Sequence, residues 1–591
     1  MTTYFGIDFG TTYSTVSLLT KGGVLIYKQN GSAYIPTTLF ISEDEKTLKY
    51  GFDAEEAYVK CETGKYYRDL KRYVGCNDRN LDTYLSLLKP KYDVSTEKVG
   101  DSERSSALIS AYNEIPNSKR ELCVLIALYL KSLISSVEKQ LNIKCDGIIL
   151  SVPAGYTCLQ RVYMEKCCSL SGYACVSIIN EPSAASICTI PYLLENQHDV
   201  LIYDFGGGTF DVSCVSIYGT SVAVIGSGSD MNLGGRDIDA AFEKYLKDKH
   251  NIDDTVKIPT TSLKEALSLS SSPVKFSARP CVNDDIVVNS HELARVATEF
   301  IQRSINVMTQ LIEELNFNNK KFIITLVGGS SNLPGVKGLL KNLYFCDNIL
   351  DLPDSRAAVS VGCALYSKAF DSDASLILVD AASKDLGIAS NKGNMLVLAP
   401  RAAPLPFNGV TSITYPQKKP SSLIHVCIYE GRYSRVLYNE LLASSVIICS
   451  ELGHTIDKAV DIVLSYETMI STTGKVVCKI TGPSSQSVTL QVQSVFDFSS
   501  VILPDMKVDD KEERLRGFVN NLFLLSFGNY LNNSIAINSL RLEDLSNLDL
   551  TSLAKIYNID VEKLHPAEMV LRSDFPGVLW RNNVSFLPFR S

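Results

Sequence analysis

The sequence predicts an α/β protein of two related lobes, followed by a β-rich region and then a shorter, mostly helical segment. Three observations predict it. An apolar strand that ends in Asp-Phe-Gly, followed by small residues and a Thr, occurs twice, as FGIDFGTTYSTV (5–16) and as LIYDFGGGTFDVS (201–213). Strand-like and helix-like patterns alternate through roughly the first 365 residues, as in α/β proteins. The texture then changes twice: to short Val, Ile, Leu and Thr runs broken by Gly and Pro from Ile377, and to helical spacing after Pro504.

The two Asp-containing stretches lie about two hundred residues apart, which is the spacing of domains rather than of a solenoid repeat. A carboxylate at the end of a buried strand needs a turn amide, a cation or water to satisfy it. Read singly, Asp8 fits a β-turn whose side chain bonds its own backbone. The second copy, Asp204, changes that reading. In both stretches glycines let backbone N–H groups approach an anion, threonines add hydroxyl donors, and the carboxylate stands at the rim. Mg²⁺ takes hard oxygen ligands and keeps several waters, so Asp8 and Asp204 suit a Mg²⁺-phosphate held between lobes.

With 591 residues the chain exceeds a single core and is long enough for three or four domains. Hydrophobic residues at 45% and charged residues at 21% are ordinary for a folded soluble protein. The net charge of -8 argues against a dominant nucleic-acid footprint. Sixteen cysteines without a repeated C-x-x-C pattern read as buried thiols in a reducing cytosol, and the adjacent Cys167 and Cys168 have no second pair at zinc-ligand spacing. No signal peptide and no integral membrane segment are expected.

Along the chain, residues 3–28 read as strand, phosphate turn, strand and a further strand. The stretch ELCVLIALYLKSLISSVEKQL (121–141) has helical apolar spacing. CDGIILSVPAGY (145–156) is a strand ended by Pro153, and 160–171 reads as a helix. Residues 371–374 are small and polar, a linker start. Residues 377–480 suggest an antiparallel β domain. Asp509 and Asp510 can cap a helix from Lys511, with Glu512 and Glu513 in its first turn and Phe518, Leu522 and Leu525 on one side. Beyond it the helical pattern is interrupted by Gly528, Pro566 and Pro576.

Seven stretches in order resemble the heat-shock protein 70 chaperone family: GIDFGTTYSTV (6–16), DLKRYVG (69–75), VPAGYTCLQR (152–161), IINEPSAA (178–185), YDFGGGTFDVS (203–213), MNLGGRDID (231–239) and LVGGSSNLPGVK (326–337). The resemblance continues more weakly through 376–401 and 461–480. VPAGY, the shorter chain and the divergent tail make it more similar to the homologs encoded by closteroviruses, filamentous plant viruses. The resemblance implies an actin-like, two-lobed nucleotide-binding domain over 1–370, an interdomain linker over 371–380, and a β-sandwich resembling the peptide-binding domain over 381–500. The divergent segment is 501–591.

By the same resemblance, Gly10, Thr11, Thr12 and Tyr13 wrap the β- and γ-phosphates from one lobe, and Gly206, Gly207, Gly208 and Thr209 from the other. Asp8 and Asp204 hold hydrated Mg²⁺, with Glu181 and Asp211 close behind. Lys71, Glu181, Asp204 and Thr209 are the catalytic set. Gly234, Gly235, Ser270, Gly328, Gly329 and Ser330 seat the nucleoside, and Pro153 and Arg161 relay nucleotide state to the β domain. Taken alone, Lys71 beside Arg72 reads as a solvated basic helix face and Glu181 as a cap before Pro182; DLKRYVG reverses the first reading.

Departures from the family matter too. The basic pair that flanks adenine just before a Leu-Ser-Ser-Ser run falls here on Ala266 and Leu267, ahead of Leu269, Ser270, Ser271 and Ser272, with Lys264 and Glu265 upstream. The basic residue expected after GGS is Asn332. Losing a cation stacked on the base removes about 0.5 to 2 kcal/mol. The expectation is a slow ATPase, ATP going to ADP and phosphate with modest affinity. The resemblance implies virion-tail assembly and movement between plant cells through plasmodesmata. It places the chain in the cytoplasm, the virion tail and the plasmodesmata, with coat and tail proteins and host plasmodesmal or cytoskeletal factors as partners and RNA contact only within the virion. The alternatives are a structural virion component with a vestigial ATP site and a divergent cellular chaperone.

Overall fold

The structure is a computed structural model that describes residues 2–98, 105–193, 197–253, 256, 258–270, 272–277, 285–370, 376–390, 392–491 and 498–509. Each Asp-Phe-Gly strand lies inside its own mixed sheet with the same neighbours. Tyr4–Phe9 pairs antiparallel with Tyr13–Thr20 and parallel with Gly147–Val152. Gln197–Phe205 pairs antiparallel with Phe210–Tyr218 and parallel with Phe322–Val327. The repeat seen in the sequence is therefore a repeat of topology, and it sets Asp8 and Asp204 at corresponding strand ends. Central strands of this kind are buried on both faces, so they read as continuous apolar runs; every residue of Gly147–Val152 is buried.

The helices follow local rules. Leu122–Leu141 starts one residue later than the apolar pattern suggests, because Arg120–Glu121 is paired to Ser105–Ile109. The helix expected from residue 160 begins at Cys158, because Thr157 caps it and Gln160, the N3 residue, closes a capping box. After the second sheet the chain crosses back: Ala358–Tyr366 lies on Tyr4–Phe9 and on Glu181–Thr189. At the tightest approach, a Cβ on Gly362 would overlap the Ala184 carbonyl.

The antiparallel region is two four-stranded sheets, one ordered Met395–Ala399, Asp385–Ala389, Leu423–Gly431, Glu440–Ile448, and the other Phe407–Lys418, Val460–Ile470, Val476–Thr481, Ser487–Gln491. Strict in/out alternation, as along Leu423–Gly431, turns Ile424, Val426 and Ile428 inward to meet Leu464, Tyr466 and Ile480 in one core. Of the expected linker, residues 376–380 are described, and they are not a free connection. Ile377–Ala381 is a strand that pairs parallel with Ser221–Asp230 and antiparallel with Pro404–Leu405, which ties the second lobe to the β region.

Past the second β sheet, Phe498 packs edge-on against Tyr163 at 5.5 Å. Lys507–Val508 adds a parallel strand beside Thr47–Tyr50, and the Asp509 N–H donates to the Leu48 carbonyl at 2.8 Å. Asp509 thus ends a strand. Its expected partner Asp510, the helix expected from Lys511 and the rest of 510–591 lie outside the described residues.

Gly362→Val tests the crossover packing. The substitution forces the helix Ala358–Tyr366 off its neighbour Glu181–Thr189 and is expected to cost about 1–3 kcal/mol of stability, read as a lower denaturation midpoint.

Candidate functional site

Two Gly-Thr turns face each other across a cleft lined by Asp8, Lys71, Glu181, Asp204 and the 10–13 and 206–209 turns. The turns are in near contact: a Cβ on Gly207 would strike Thr12 Oγ1, and one on Gly208 would strike Thr11 Oγ1. Gly206 N–H donates to the Thr209 carbonyl at 3.0 Å, which closes the second turn. Backbone amides and threonine hydroxyls from both lobes therefore converge on one space, an arrangement suited to a polyphosphate.

Behind the turns one ammonium meets four carboxylates. Lys71 and Glu181, each 7% exposed, are joined by a 2.5 Å ion pair. Burial works against the Lys71 charge, but Glu181, then Asp8 and Asp211, outweigh it and raise its pKa above the ordinary value. The carboxylates feel the reverse. Burial first, then the charge of Glu181, pushes Asp8 up to about 7, with Lys71 and Ser151 opposing. The same two causes push Asp211 up to about 7. Asp204 is raised well above the ordinary carboxylate range by burial, Glu181, Asp211 and Asp8. The cluster is short of positive charge, and a divalent cation would supply it.

Among the described residues no three His, Cys, Asp or Glu side chains converge closely enough to hold a metal ion directly. Asp8, Glu181, Asp204 and Asp211 are therefore not a closed ligand set. They fit an ion that keeps its water shell and takes phosphate oxygens, which is the habit of Mg²⁺.

The structure brings most of the predicted residues together. Asp8, Gly10, Thr11, Thr12, Tyr13, Lys71, Glu181, Asp204, Gly206, Gly207, Gly208, Thr209, Gly328, Gly329 and Ser330 all line the cleft. Asp211 is paired directly opposite Asp204 in the ladder and accepts from Gly155 N–H at 3.2 Å. Gly234 and Gly235 do not line it. They back the second turn instead: a Cβ on Gly234 would collide with the Gly208 backbone, and Gly235 N–H donates to the Gly206 carbonyl at 3.0 Å. Ser270 is also outside the cleft, its Oγ accepting from Ser272 N–H. Pro153 and Arg161 are buried away from the phosphate turns, and Arg161 reaches the β region by donating to the Thr472 carbonyl at 3.1 Å.

The phase of the helix Thr260–Leu269 corrects the expectation for the base end. Leu267 is 2% exposed and belongs to the second lobe's core. The cleft is lined instead by Thr261, Lys264, Glu265, Ser268 and Leu269. Lys264 is spoken for, bonded to the Gly235 carbonyl at 2.7 Å and paired with Asp239 at 2.8 Å. Two further lining residues, Tyr34 and Arg356, carry no motif and were missed; no signal near either points to this cleft.

The family profile for Hsp70 protein matches residues 4–448. A movement protein Hsp70h of Beet yellows virus (isolate Ukraine) is 37% identical over 514 residues, covering 86% of each chain. The movement protein Hsp70h of Lettuce infectious yellows virus (isolate United States/92) is 31% identical over 453 residues, covering 75% of this chain and 78% of its own. A chaperone protein HscA homolog of Rickettsia prowazekii (strain Madrid E) is 27% identical over 412 residues, 69% of this chain and 64% of its own.

The raised carboxylates set a pH dependence. Asp8 and Asp211 titrate near 7 in the fold against 3.8 unfolded, so they favour folding when protonated, at low pH. That contribution is lost as pH rises through about 7. The ligand-free melting temperature is expected to fall between pH 5.5 and about 8, and Asp8→Asn is expected to flatten the slope.

Proposed function

The chain belongs to the heat-shock protein 70 family, in the branch carried by closteroviruses, and from that premise we propose that it binds Mg²⁺-ATP in the cleft and hydrolyses it slowly to ADP and phosphate. In this reading the nucleotide cycle drives virion-tail assembly and cell-to-cell movement through plasmodesmata. The observation that carries it is the Lys71–Glu181 pair, set among Asp8, Asp204 and Asp211 and facing turns from both lobes.

Phosphoryl transfer to water needs an in-line arrangement, charge neutralisation and an oriented nucleophile. In the proposed roles the amides of 10–13 and 206–209 hold the β- and γ-phosphates. Lys71 steadies the charge that develops on the γ-phosphoryl oxygens. Glu181 and Thr209 orient the attacking water. Asp8 and Asp204 would hold a hydrated Mg²⁺, with Asp211 behind, and the ion would neutralise phosphate charge.

A connected set of contacts supports coupling to the β region. Glu181 follows Asn180, whose side chain is bonded by Arg161 and donates to Asp380 at 2.7 Å. Asp380 also accepts from Ser183 at 2.9 Å. Glu430 of the β region accepts from Cys158 N–H, at the start of the Arg161 helix, at 2.8 Å. Within the sandwich, the 392–395 loop and the 432–438 loop are bonded to each other, Met395 N–H to Ser434 O at 2.8 Å and Val436 N–H to Gly393 O at 3.1 Å. That latch favours a fixed partner, such as a coat or tail protein, over a promiscuous open groove. A second reading, a structural virion component for which ATP is a stabilising ligand, is favoured by the strand that pins 507–508 to the first lobe.

Single-turnover hydrolysis by the full chain separates the two. Lys71→Ala and Asp204→Ala are each expected to lower the rate by about 10² or more, while at least one retains nucleotide binding. Binding without turnover by the unaltered chain would leave only the structural reading.

A further inference from the structure

We propose that Arg356 recognises the nucleoside end of the ligand, an inference that rests on the nucleotide reading above. Arg356 lies between the edge strand of the second sheet, Cys346–Asp351, and the crossover helix Ala358–Tyr366. Its guanidinium sits 3.8 Å from the centroid of the Tyr34 ring and 5.1 Å from that of Tyr13, both carried by the first lobe. Tyr34 is fixed by donating its hydroxyl to Asp354 at 2.5 Å. Among the described residues no carboxylate or carbonyl pairs with this guanidinium, yet it lines the same cleft as the phosphate turns. A planar cation held against an aromatic face, with its edge donors unspoken for, is equipped to stack on a purine and to donate to its ring nitrogens or to ribose.

Arg356 lines the cleft beside a glycine turn of the second lobe. A Cβ on Gly329 would stand 3.8 Å from Arg356 Nε, so the guanidinium adjoins the 328–330 turn. The charges that act on Tyr13 are Glu265, Arg356 and Arg236, and on Tyr34 they are Asp354 and Arg356. Lys71, by contrast, is acted on by Glu181, Asp8 and Asp211. The cleft that Arg356 lines is also walled by Leu269, Asn332 and Leu333, an apolar and amide surface suited to a base. The other cation there, Lys264, is occupied by Asp239 and the Gly235 carbonyl. Arg356 is the one that remains for the ligand among the described residues of this wall.

Calorimetry on the full chain with ATP and with inorganic tripolyphosphate, both with Mg²⁺, tests the assignment, because the ratio of the two affinities isolates the nucleoside. Arg356→Gln is expected to weaken ATP about tenfold and to leave tripolyphosphate unchanged. Arg356→Lys keeps the charge but not the plane and is expected to fall with it; it carries the same comparison if Arg356→Gln does not fold. An unchanged ATP affinity, or an equal loss for ATP and tripolyphosphate, overturns the assignment and leaves the nucleotide reading standing. Failure of the unaltered chain to bind either ligand overturns both.

Discussion

One ammonium set against four carboxylates in a buried space is the constraint on which the remainder of this structure depends. Lys71 neutralises at most one of Asp8, Glu181, Asp204 and Asp211, and burial denies the others the solvation that would let them stay ionised without cost. Such a cluster destabilises the empty fold and rewards whatever brings positive charge into it. Its parts come from both lobes: Asp8, Lys71 and Glu181 from one, Asp204 and Asp211 from the other. The shortage of charge is therefore shared by both lobes across the cleft.

The fold supplies this arrangement by repetition. Each sheet ends its Asp strand against a tight Gly-Thr turn, flanked by a hairpin partner and a parallel neighbour. The crossover helix that starts just past Arg356 then closes the first lobe. The β region is tied to this unit through buried polar contacts at Asp380, Arg161 and Glu430, and burial pushes the Glu430 carboxyl up to about 7, with Lys384 opposing. A change at Glu181 has a short path, through Asn180, to all of these except the Glu430 contact, which lies on the neighbouring helix start.

Much of the site was legible because its signals are local. Glycines, threonines and an Asp at a strand end announce themselves within a dozen residues, and the second copy removes the ambiguity of the first. Lys71 and Glu181 needed their flanking motifs. What escaped depends on phase or on distant contacts. Ala266 and Leu267 were aligned by the serine run, yet the helix ends at Leu269, and its turn angle sends Leu267 inward and Lys264 and Glu265 to the cleft. Gly234 and Gly235 are expected to seat the nucleoside, and only the fold reveals that they back the phosphate turn instead. Tyr34 and Arg356 are more than three hundred residues apart in sequence, and nothing local marks either. The strands Ile377–Ala381 and Lys507–Val508 take their partners from remote sheets, so their sequences look like linker and tail.

Proton linkage tests the central claim most directly. Titrating Mg²⁺-ATP into the full chain near pH 7, in buffers of different ionisation enthalpy, reads the protons exchanged on binding. The charge-deficient cluster predicts net proton release, because the incoming cation lowers carboxylates that are partly protonated in the empty cleft, and it predicts that release falls in Asp8→Asn. Binding with no proton exchange, or with equal affinity in the absence of Mg²⁺, would contradict it.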